Sequence, residues 1–208
     1  INEGMDAYEG MIWGEDIVLD GDIAWCLTAH HNFGELTPSV LYKCNLKTGE
    51  LSRIDLGEIV IARSLTYDEN YGLYINVIPY YYYGWIEEIQ DDYFVNYGGG
   101  VYHCDEDGTL QLILSVENGV SHSAFSTDGT MYVSADKGII YIKQAENENF
   151  EIYVDGLFQR MKNINFSRDE TVFYATTFGG GTYRIPVYKD AVKVPEKDVH
   201  EHIPETVN

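Results

Sequence analysis

The chain has few basic residues. Its 13 Lys and Arg stand against 34 Asp and Glu, which gives a formal net charge of -21. Such a surface repels phosphate backbones and anionic lipids, so we expect neither nucleic acid nor a membrane as a partner. The charge indicates a soluble, self-repelling surface, with a cation-attracting face as the alternative. The composition predicts a soluble protein, either cytoplasmic or processed and extracellular.

Cysteine is scarce, and long apolar runs are missing. Three cysteines do not make a disulfide framework, and none has the spacing of a zinc ligand. Cys26, Cys44 and Cys104 lie in strand-like segments, where a free cysteine usually behaves as a small buried apolar residue. No apolar stretch is long enough for a transmembrane helix. Because the chain starts at Ile1 without a signal-peptide pattern, we expect a processed form or a piece of a longer protein.

Helical periodicity is also missing, and a repeat of strands stands in its place. Four strands contain a tyrosine that follows an apolar or Thr residue, and each unit has an earlier strand that ends in an acidic turn. A unit of about 40 residues with variable insertions is the size of a β-propeller blade. The tyrosines are Tyr42, Tyr102, Tyr141 and Tyr183, and the turn aspartates are Asp20, Asp68, Asp128 and Asp169.

The repeat predicts an all-β fold, a β-propeller with about four recognisable four-stranded blades. An unclosed array of blades exposes an apolar face and strand edges. The ring is therefore expected to be partial, four-bladed, or completed by oligomerisation. The propeller domain is predicted over 1–187, with a polar C-terminal tail over 195–208. The units are predicted at about 14–57, 58–117, 118–156 and 157–194, the last with its fourth strand at Ala191–Val194.

The units differ mainly in the loop between their second and third strands, the b–c loop. Because neighbouring strands run antiparallel, these loops leave every blade on the same side. The first unit inserts roughly 29–39 there, the second roughly 78–100, and the fourth has 177–181. Loops on a rigid scaffold commonly carry function, so we expect the working surface on this face.

The insert over 78–100 is rich in aromatic residues and is the main candidate for ligand binding. Flat, amphipathic rings suit sugar or protein recognition, so the expected partner is a protein or a small polar or carbohydrate ligand. The alternative is that the rings pack on their own blade as a satellite core. Carboxylates from Glu87 to Asp92 lack EF-hand spacing and indicate a solvated acidic loop. The candidate ligand-binding residues are Tyr81, Tyr82, Tyr83, Trp85, Tyr93, Tyr97, His31 and Phe178.

Two glycine runs, Gly98–Gly100 and Gly179–Gly181, resemble phosphate cradles in isolation. Each run leads into a predicted strand, so the helix N-terminus that a phosphate site requires is missing. The runs are better interpreted as places where backbones pack closely.

The starts of the inner strands border the central channel of a propeller. A channel ringed by His, Asn and Asp can bind Ca²⁺ or another divalent cation, and the alternative is that these groups hydrogen-bond water. No nucleophile elbow and no Ser/His/Asp set is present, so a non-enzymatic binding scaffold is predicted first. The channel candidates are Asp16, Ser64, His122, Asn163 and Asn165.

The copies SAFSTDGTMYVSAD and INFSRDETVFYATT resemble strand pairs of the SMP-30/gluconolactonase/strictosidine-synthase-like and NHL/YVTN propellers. LYKCNLKTGEL resembles an outer hairpin of the same groups, and the resemblance covers most of 14–187.

The resemblance implies a second function, a divalent-metal-dependent lactonase or hydrolase acting at the channel. Glu9 corresponds to the glutamate ligand of that group, and its asparagine position falls at Ser121 or Lys162. A third expectation is a structural fragment of a larger propeller protein. The metal candidates are Glu9, Asp16, His122 and Asn163.

Overall fold

A computed structural model describes most of the chain as β-strands. Its described residues are 11–31, 38–57, 59, 61–78, 80–86, 91–97, 99–145, 147–155, 157, 161–188, 193–194 and 198–201, with backbone alone at 11–13, 29–31, 80–86, 91–97, 136 and 201.

The strands form four antiparallel sheets of four, which follow one another along the chain. The first sheet holds β1 (Met11–Asp20), β2 (Ile23–His31), β3 (Val40–Asn45) and β4 (Leu51–Asp55). The second holds β5 (Ala62–Asp68), β6 (Gly72–Val77), β9 (Gly99–Cys104) and β10 (Leu110–Val116). Between β6 and β9 lie β7 (Tyr80–Ile86) and β8 (Asp91–Tyr97), which pair with each other as a separate two-stranded sheet.

The third and fourth sheets complete the series. The third holds β11 (Val120–Phe125), β12 (Met131–Ala135), β13 (Ile139–Lys143) and β14 (Glu151–Val154), with a short 3-10 turn at Asp136–Gly138. The fourth holds β15 (Met161–Phe166), β16 (Val172–Thr177), β17 (Thr182–Pro186) and β18 (His200–Glu201).

The first strand of each sheet contacts the first strand of the next. β1 packs on β5, β5 on β11, and β11 on β15. Serial packing of four-stranded antiparallel sheets through their first strands is the arrangement of propeller blades. The predicted fold class, an all-β propeller with four four-stranded blades, is confirmed.

The turn aspartates hold the first turn of three blades. The Oδ1 atoms of Asp68, Asp128 and Asp169 accept hydrogen bonds from backbone amides two residues later, at 2.8, 3.1 and 3.3 Å. A short side chain that bonds its own backbone in this way replaces the missing ladder bonds of the turn. These local bonds explain why the acidic turn recurs in the sequence.

Apolar side chains fill the spaces between neighbouring sheets. Trp25 and Leu65 belong to the cluster between the first two sheets, and Val101 and Val133 to the cluster between the second and third. Between the third and fourth sheets, buried aromatic rings make tilted and edge-to-face contacts, such as Tyr132 with its neighbours at 5.2–5.4 Å between ring centroids. Each large side chain buried here stabilises the fold by about 1.5–3 kcal/mol before the costs of ordering it.

The second b–c insertion contains a hairpin. β7 and β8 pair in register over seven positions, from Tyr80 opposite Tyr97 to Ile86 opposite Asp91. The segment predicted as an inserted loop therefore has strand structure of its own, which agrees with its content of Tyr, Trp, Phe and Val. The hairpin extends the blade on the b–c side.

The glycines that close this insertion confirm the expectation of close backbone packing. A Cβ atom on Gly99 would lie 2.3 Å from the Cα of Gly119, and one on Gly100 would lie 2.3 Å from the carbonyl oxygen of Leu114. Neither position has room for a side chain. The expectation is wrong for the second run, because a Cβ atom on Gly180 would meet no described atom within 4 Å; its φ of +86° is what favours glycine there.

The end of the chain differs from its expected structure. The fourth strand of the last blade is β18, which lies inside the segment predicted as a polar tail, and it pairs with Tyr183 and Arg184 of β17. An edge strand of two polar residues needs only a backbone partner, so no apolar pattern marks it in the sequence. Val194, in the predicted strand, is buried and its amide donates to the Tyr153 carbonyl at 2.8 Å.

All three cysteines are free. Cys104 is buried, as expected, while Cys26 and Cys44 are half-buried. Burial, aided by two neighbouring aspartates, raises the pKa of the Cys104 thiol to about 11. Among the described residues, none forms a helix long and apolar enough to cross a membrane.

Candidate functional site

The starts of β1, β5 and β11 lie at the same end of the sheets as the b–c loops. We call the polar surface there the channel mouth and define it by five residues. Four belong to inner strands and one to the loop after β16. They are Glu15, Asp16, Arg63, His122 and Phe178.

Arg63 links three blades at the channel mouth. Its Nη1 atom lies 2.9 Å from Oε2 of Glu15, whose side chain is only 14% exposed. Its guanidinium carbon lies 5.7 Å from the ring centroid of Phe178, within the range of a cation–π contact. Glu15 and Arg63 are absent from the residues predicted for the site. The sequence signal for Arg63 is a basic residue at the start of an inner strand in a chain with few basic residues.

Asp16 ties the first blade to the second. Its Oδ2 atom accepts a hydrogen bond from the Leu65 amide, and its Oδ1 atom accepts one from the Ile17 amide, both at 2.8 Å. The regular pairing of β1 with β2 shifts between Gly14 and Asp16. Since a carboxylate oxygen has two lone pairs, each oxygen retains the capacity for one further contact.

His122 is half-buried on β11 and is influenced by the charge of Asp16. Burial lowers the pKa of its imidazole, and Asp16 opposes that shift, so the ring is neutral at neutral pH. Its Nδ1 atom is buried and has no hydrogen-bond partner among the described residues. A neutral imidazole with an unused ring nitrogen can bind a proton, a polar ligand group or a metal ion.

The other channel candidates have different surroundings. Ser64 is buried between the second and third blades, where its hydroxyl donates to the Ser121 carbonyl at 2.9 Å. Asn163 accepts a hydrogen bond from Asn165, at 3.3 Å between the two side chains. Glu9 lies outside the described residues. Within the described part of the chain, no three His, Cys, Asp or Glu side chains are placed to hold a metal ion.

The predicted aromatic ligand residues fall at defined register positions on the hairpin. Tyr81, Tyr83 and Trp85 alternate along β7 with Tyr82. The side chains of these residues lie outside the description, as does that of His31 at the end of β2. Phe178 is 48% exposed at the channel mouth. The remaining candidates, Tyr93 and Tyr97, lie on β8, where Tyr93 pairs with Gly84 and Tyr97 pairs with Tyr80.

A polar cavity of about 180 Å³ lies at the opposite end, between the a–b turns of the third and fourth blades. Its carboxylates already accept hydrogen bonds within the fold. Glu170 accepts from the amide and the hydroxyl of Thr127, and Asp169 accepts from Ser167 and Thr171. These bonds lower the pKa of Asp169 and assign the carboxylates to holding the turns.

Comparison with solved structures finds a protein of similar fold. The chain is similar to the computationally designed Ika4 protein, with a TM-score of 0.56 and 11% sequence identity over 88% of this chain and 95% of that one. The likeness is one of fold alone. A chain of the nidogen/laminin complex matches with a TM-score of 0.42 and 9% identity over 91% of this chain and 82% of that one.

No protein-family model matches the chain, and no curated protein matches it. The resemblance to the SMP-30 and NHL groups therefore stays a prediction.

Proposed function

We propose that the protein is a non-enzymatic binding module whose working surface is the b–c face, formed by the β7–β8 hairpin and the channel mouth. The observation that carries the proposal is the hairpin. It is the largest departure from the repeated blade, and it forms a two-stranded sheet apart from the blade's own ladder.

The composition of the hairpin favours recognition. Five of the seven residues of β7 and three of the seven residues of β8 are aromatic. A two-stranded hairpin is only marginally stable by itself in water. A hairpin with so many aromatic rings is therefore stabilised when another surface packs against those rings. We take that surface to belong to a ligand.

Charge favours an uncharged polar ligand, and we commit to the carbohydrate class. With a net charge of -21, the protein repels anionic ligands, whereas a neutral sugar meets no such barrier. Sugar rings stack on flat aromatic faces, and their hydroxyls pair with carboxylates and amides. The channel mouth offers carboxylates in Asp16 and Glu15, and the imidazole of His122 can also pair with a hydroxyl.

The test uses an array of immobilised neutral oligosaccharides, followed by calorimetric titration with those retained. We expect Tyr81→Ala, Tyr83→Ala and Trp85→Ala each to weaken binding by about tenfold, since an interface ring contributes on the order of 1 kcal/mol. Leu46→Ala is the matched control, because Leu46 is 57% exposed in the turn after β3, on the opposite face. Retained binding in all three hairpin variants contradicts the proposal. Failure to retain any neutral sugar rejects the carbohydrate class.

A divalent-cation site at the channel mouth is the second candidate function. An SMP-30-like lactonase or hydrolase activity would depend on this site. The observation in its favour is His122, whose buried Nδ1 atom has no hydrogen-bond partner in the described part of the chain and which feels the charge of Asp16. Glu9 and Asn163 complete the proposed ligand set. Calorimetric titration with Ca²⁺, Mn²⁺ and Zn²⁺ tests it. Saturable binding that His122→Gln removes supports the site, and identical titrations of both proteins reject it.

A further inference from the structure

The first blade exposes an apolar face that is covered in every other blade. Strand alternation and cross-strand pairing place Ile17, Leu19, Cys26, Tyr42 and Leu51 on this surface, which we call the leading face. Ile17, Leu19 and Leu51 are 60, 61 and 55% exposed. Three large aliphatic side chains exposed together on one sheet face are unusual for an isolated protein.

The register shows what covers this face elsewhere. The positions that match Ile17 on the other inner strands are Leu65, Ser123 and Ile164. Each lies two residues before the last or next-to-last residue of its strand that pairs with the second strand of the same blade. Their exposures are 2, 0 and 1%, against 60% for Ile17. Leu65 packs against the first blade and Ile164 against the third, so a preceding blade covers the position. The leading face of the first blade is a blade-accepting surface.

The fourth blade exposes the complementary kind of surface. Asn163, Asn165, Tyr174, Thr176 and Thr182 lie on the side of its sheet away from the third blade, which we call the trailing face. Asn165 is exposed, and the other four are half-buried.

The second blade has the same kind of trailing surface. The positions that match Asn163, Asn165 and Thr176 are Ser64, Thr66 and Asn76, and these are 7, 8 and 0% exposed. The next blade covers them.

The second and third blades show that a polar trailing face packs well on a leading face. The hydroxyls of Ser64 and Thr66 donate to the Ser121 and Ser123 carbonyls across that interface, at 2.9 and 2.8 Å. Polar groups that find such partners are buried without a large penalty. The hydroxyl and amide groups of the trailing face of the fourth blade have the same capacity.

We propose that a second copy of this chain covers both faces, with the trailing face of each copy packed on the leading face of the other. The two contacts are identical by a two-fold axis and close a ring of eight blades, within the range that propellers adopt. One chain carries both halves of an interface that it already forms three times between its own blades, and this favours a second copy as the occupant. The inference is independent of the ligand proposed for the b–c face.

The experiment is sedimentation velocity with light scattering on the 208-residue chain over a range of concentrations. We expect a species of twice the chain's 23.7 kDa. Ile17→Asp combined with Leu19→Asp, and separately Asn165→Arg, are each expected to weaken association by about 30-fold or more, as for residues central to an interface. Because two copies of -21 repel each other, association should strengthen with salt.

Leu46→Asp is the matched control, since Leu46 is as exposed as Ile17 but lies outside both faces. Circular dichroism and thermal unfolding establish that each variant is folded. Mixing the leading-face variant with the trailing-face variant should restore part of the dimer, because one interface is then intact.

Four results overturn the proposal. The first is a wild-type chain that stays monomeric, in which case another blade or partner covers these faces. The second is a dimer that neither variant weakens, and the third is a dimer that Asn165→Arg leaves intact, which indicates that leading face packs on leading face. The fourth is an open series of larger assemblies.

Discussion

Removal of the Asp16 carboxylate is expected to loosen the contact between the first two blades. Leu65 is 2% exposed, and its amide donates to Asp16 Oδ2 at 2.8 Å. In Asp16→Ala that amide is buried without an acceptor. The Ile17 amide, the other donor to Asp16, belongs to an exposed residue and can bond to water in the variant.

The magnitude follows from these two bonds. A buried amide left without an acceptor costs about 1–3 kcal/mol, and re-solvation of the Ile17 amide makes the second loss small. We expect Asp16→Ala to lower the free energy of unfolding by about 2 kcal/mol, or the melting temperature by about 4–8 °C. Asp16→Asn keeps one acceptor oxygen and should lose about 1 kcal/mol.

The assay is urea unfolding followed by circular dichroism, with Asp22→Ala as the matched control. Asp22 pairs with Lys47 on the surface, where both side chains are more than half exposed. An exposed ion pair is worth about 0–1 kcal/mol, so the control should unfold close to the wild type.

A second measurement separates charge from packing. Asp16 raises the pKa of His122 against the larger effect of burial, so both Asp16 variants should lower that pKa further in an NMR titration. Equal stability of Asp16→Ala and Asp22→Ala, or a higher His122 pKa in either Asp16 variant, would contradict this role of Asp16.

Three further changes test the fold and the channel mouth. Tyr153→Phe leaves two backbone groups near the end of β17 without their hydrogen bonds of 2.8–2.9 Å to the phenol. The free energy of unfolding in urea should fall by about 1–3 kcal/mol, and a decrease under about 0.5 kcal/mol would contradict that role. Gly100→Ala should lose about 1–3 kcal/mol or more because its Cβ meets a backbone oxygen, whereas Gly14→Ala, whose Cβ would meet no described atom within 4 Å, should be nearly neutral. Burial holds the pKa of His122 below 6.5, so the unfolded state binds a proton first as pH falls through that value. The wild type should therefore lose more stability between about pH 7 and about pH 5 than His122→Gln, and parallel pH profiles would argue against it.

The channel mouth illustrates how a propeller builds a surface from distant parts of its chain. Glu15, Arg63 and Phe178 belong to three blades, yet Arg63 contacts both of the others. No spacing in the sequence predicts this cluster, because it depends on how far successive inner strands converge. Asp16 and His122 are predicted at this end of the sheets by counting back from the turn aspartates, since that distance is local to each blade.

The blades themselves could be predicted from the sequence because their signals are local. Turn aspartates recur in all four units and bond their own backbone in three of them, and together with the β-formers between them they mark the strands. The length of each b–c insertion can also be read directly by comparing one unit with the next. These features do not depend on the neighbouring sheets.

Tertiary structure alone decided the rest. β18 needs only a backbone partner from β17, so its two polar residues carry no pattern. Ile17 is exposed at a position that is buried in the three other blades, because its exposure depends on which sheet lies beside it. The sequence of its own strand does not distinguish it from the other inner strands. Alternation along a strand determines which residues share a face. Only the packing of sheets determines whether that face is covered.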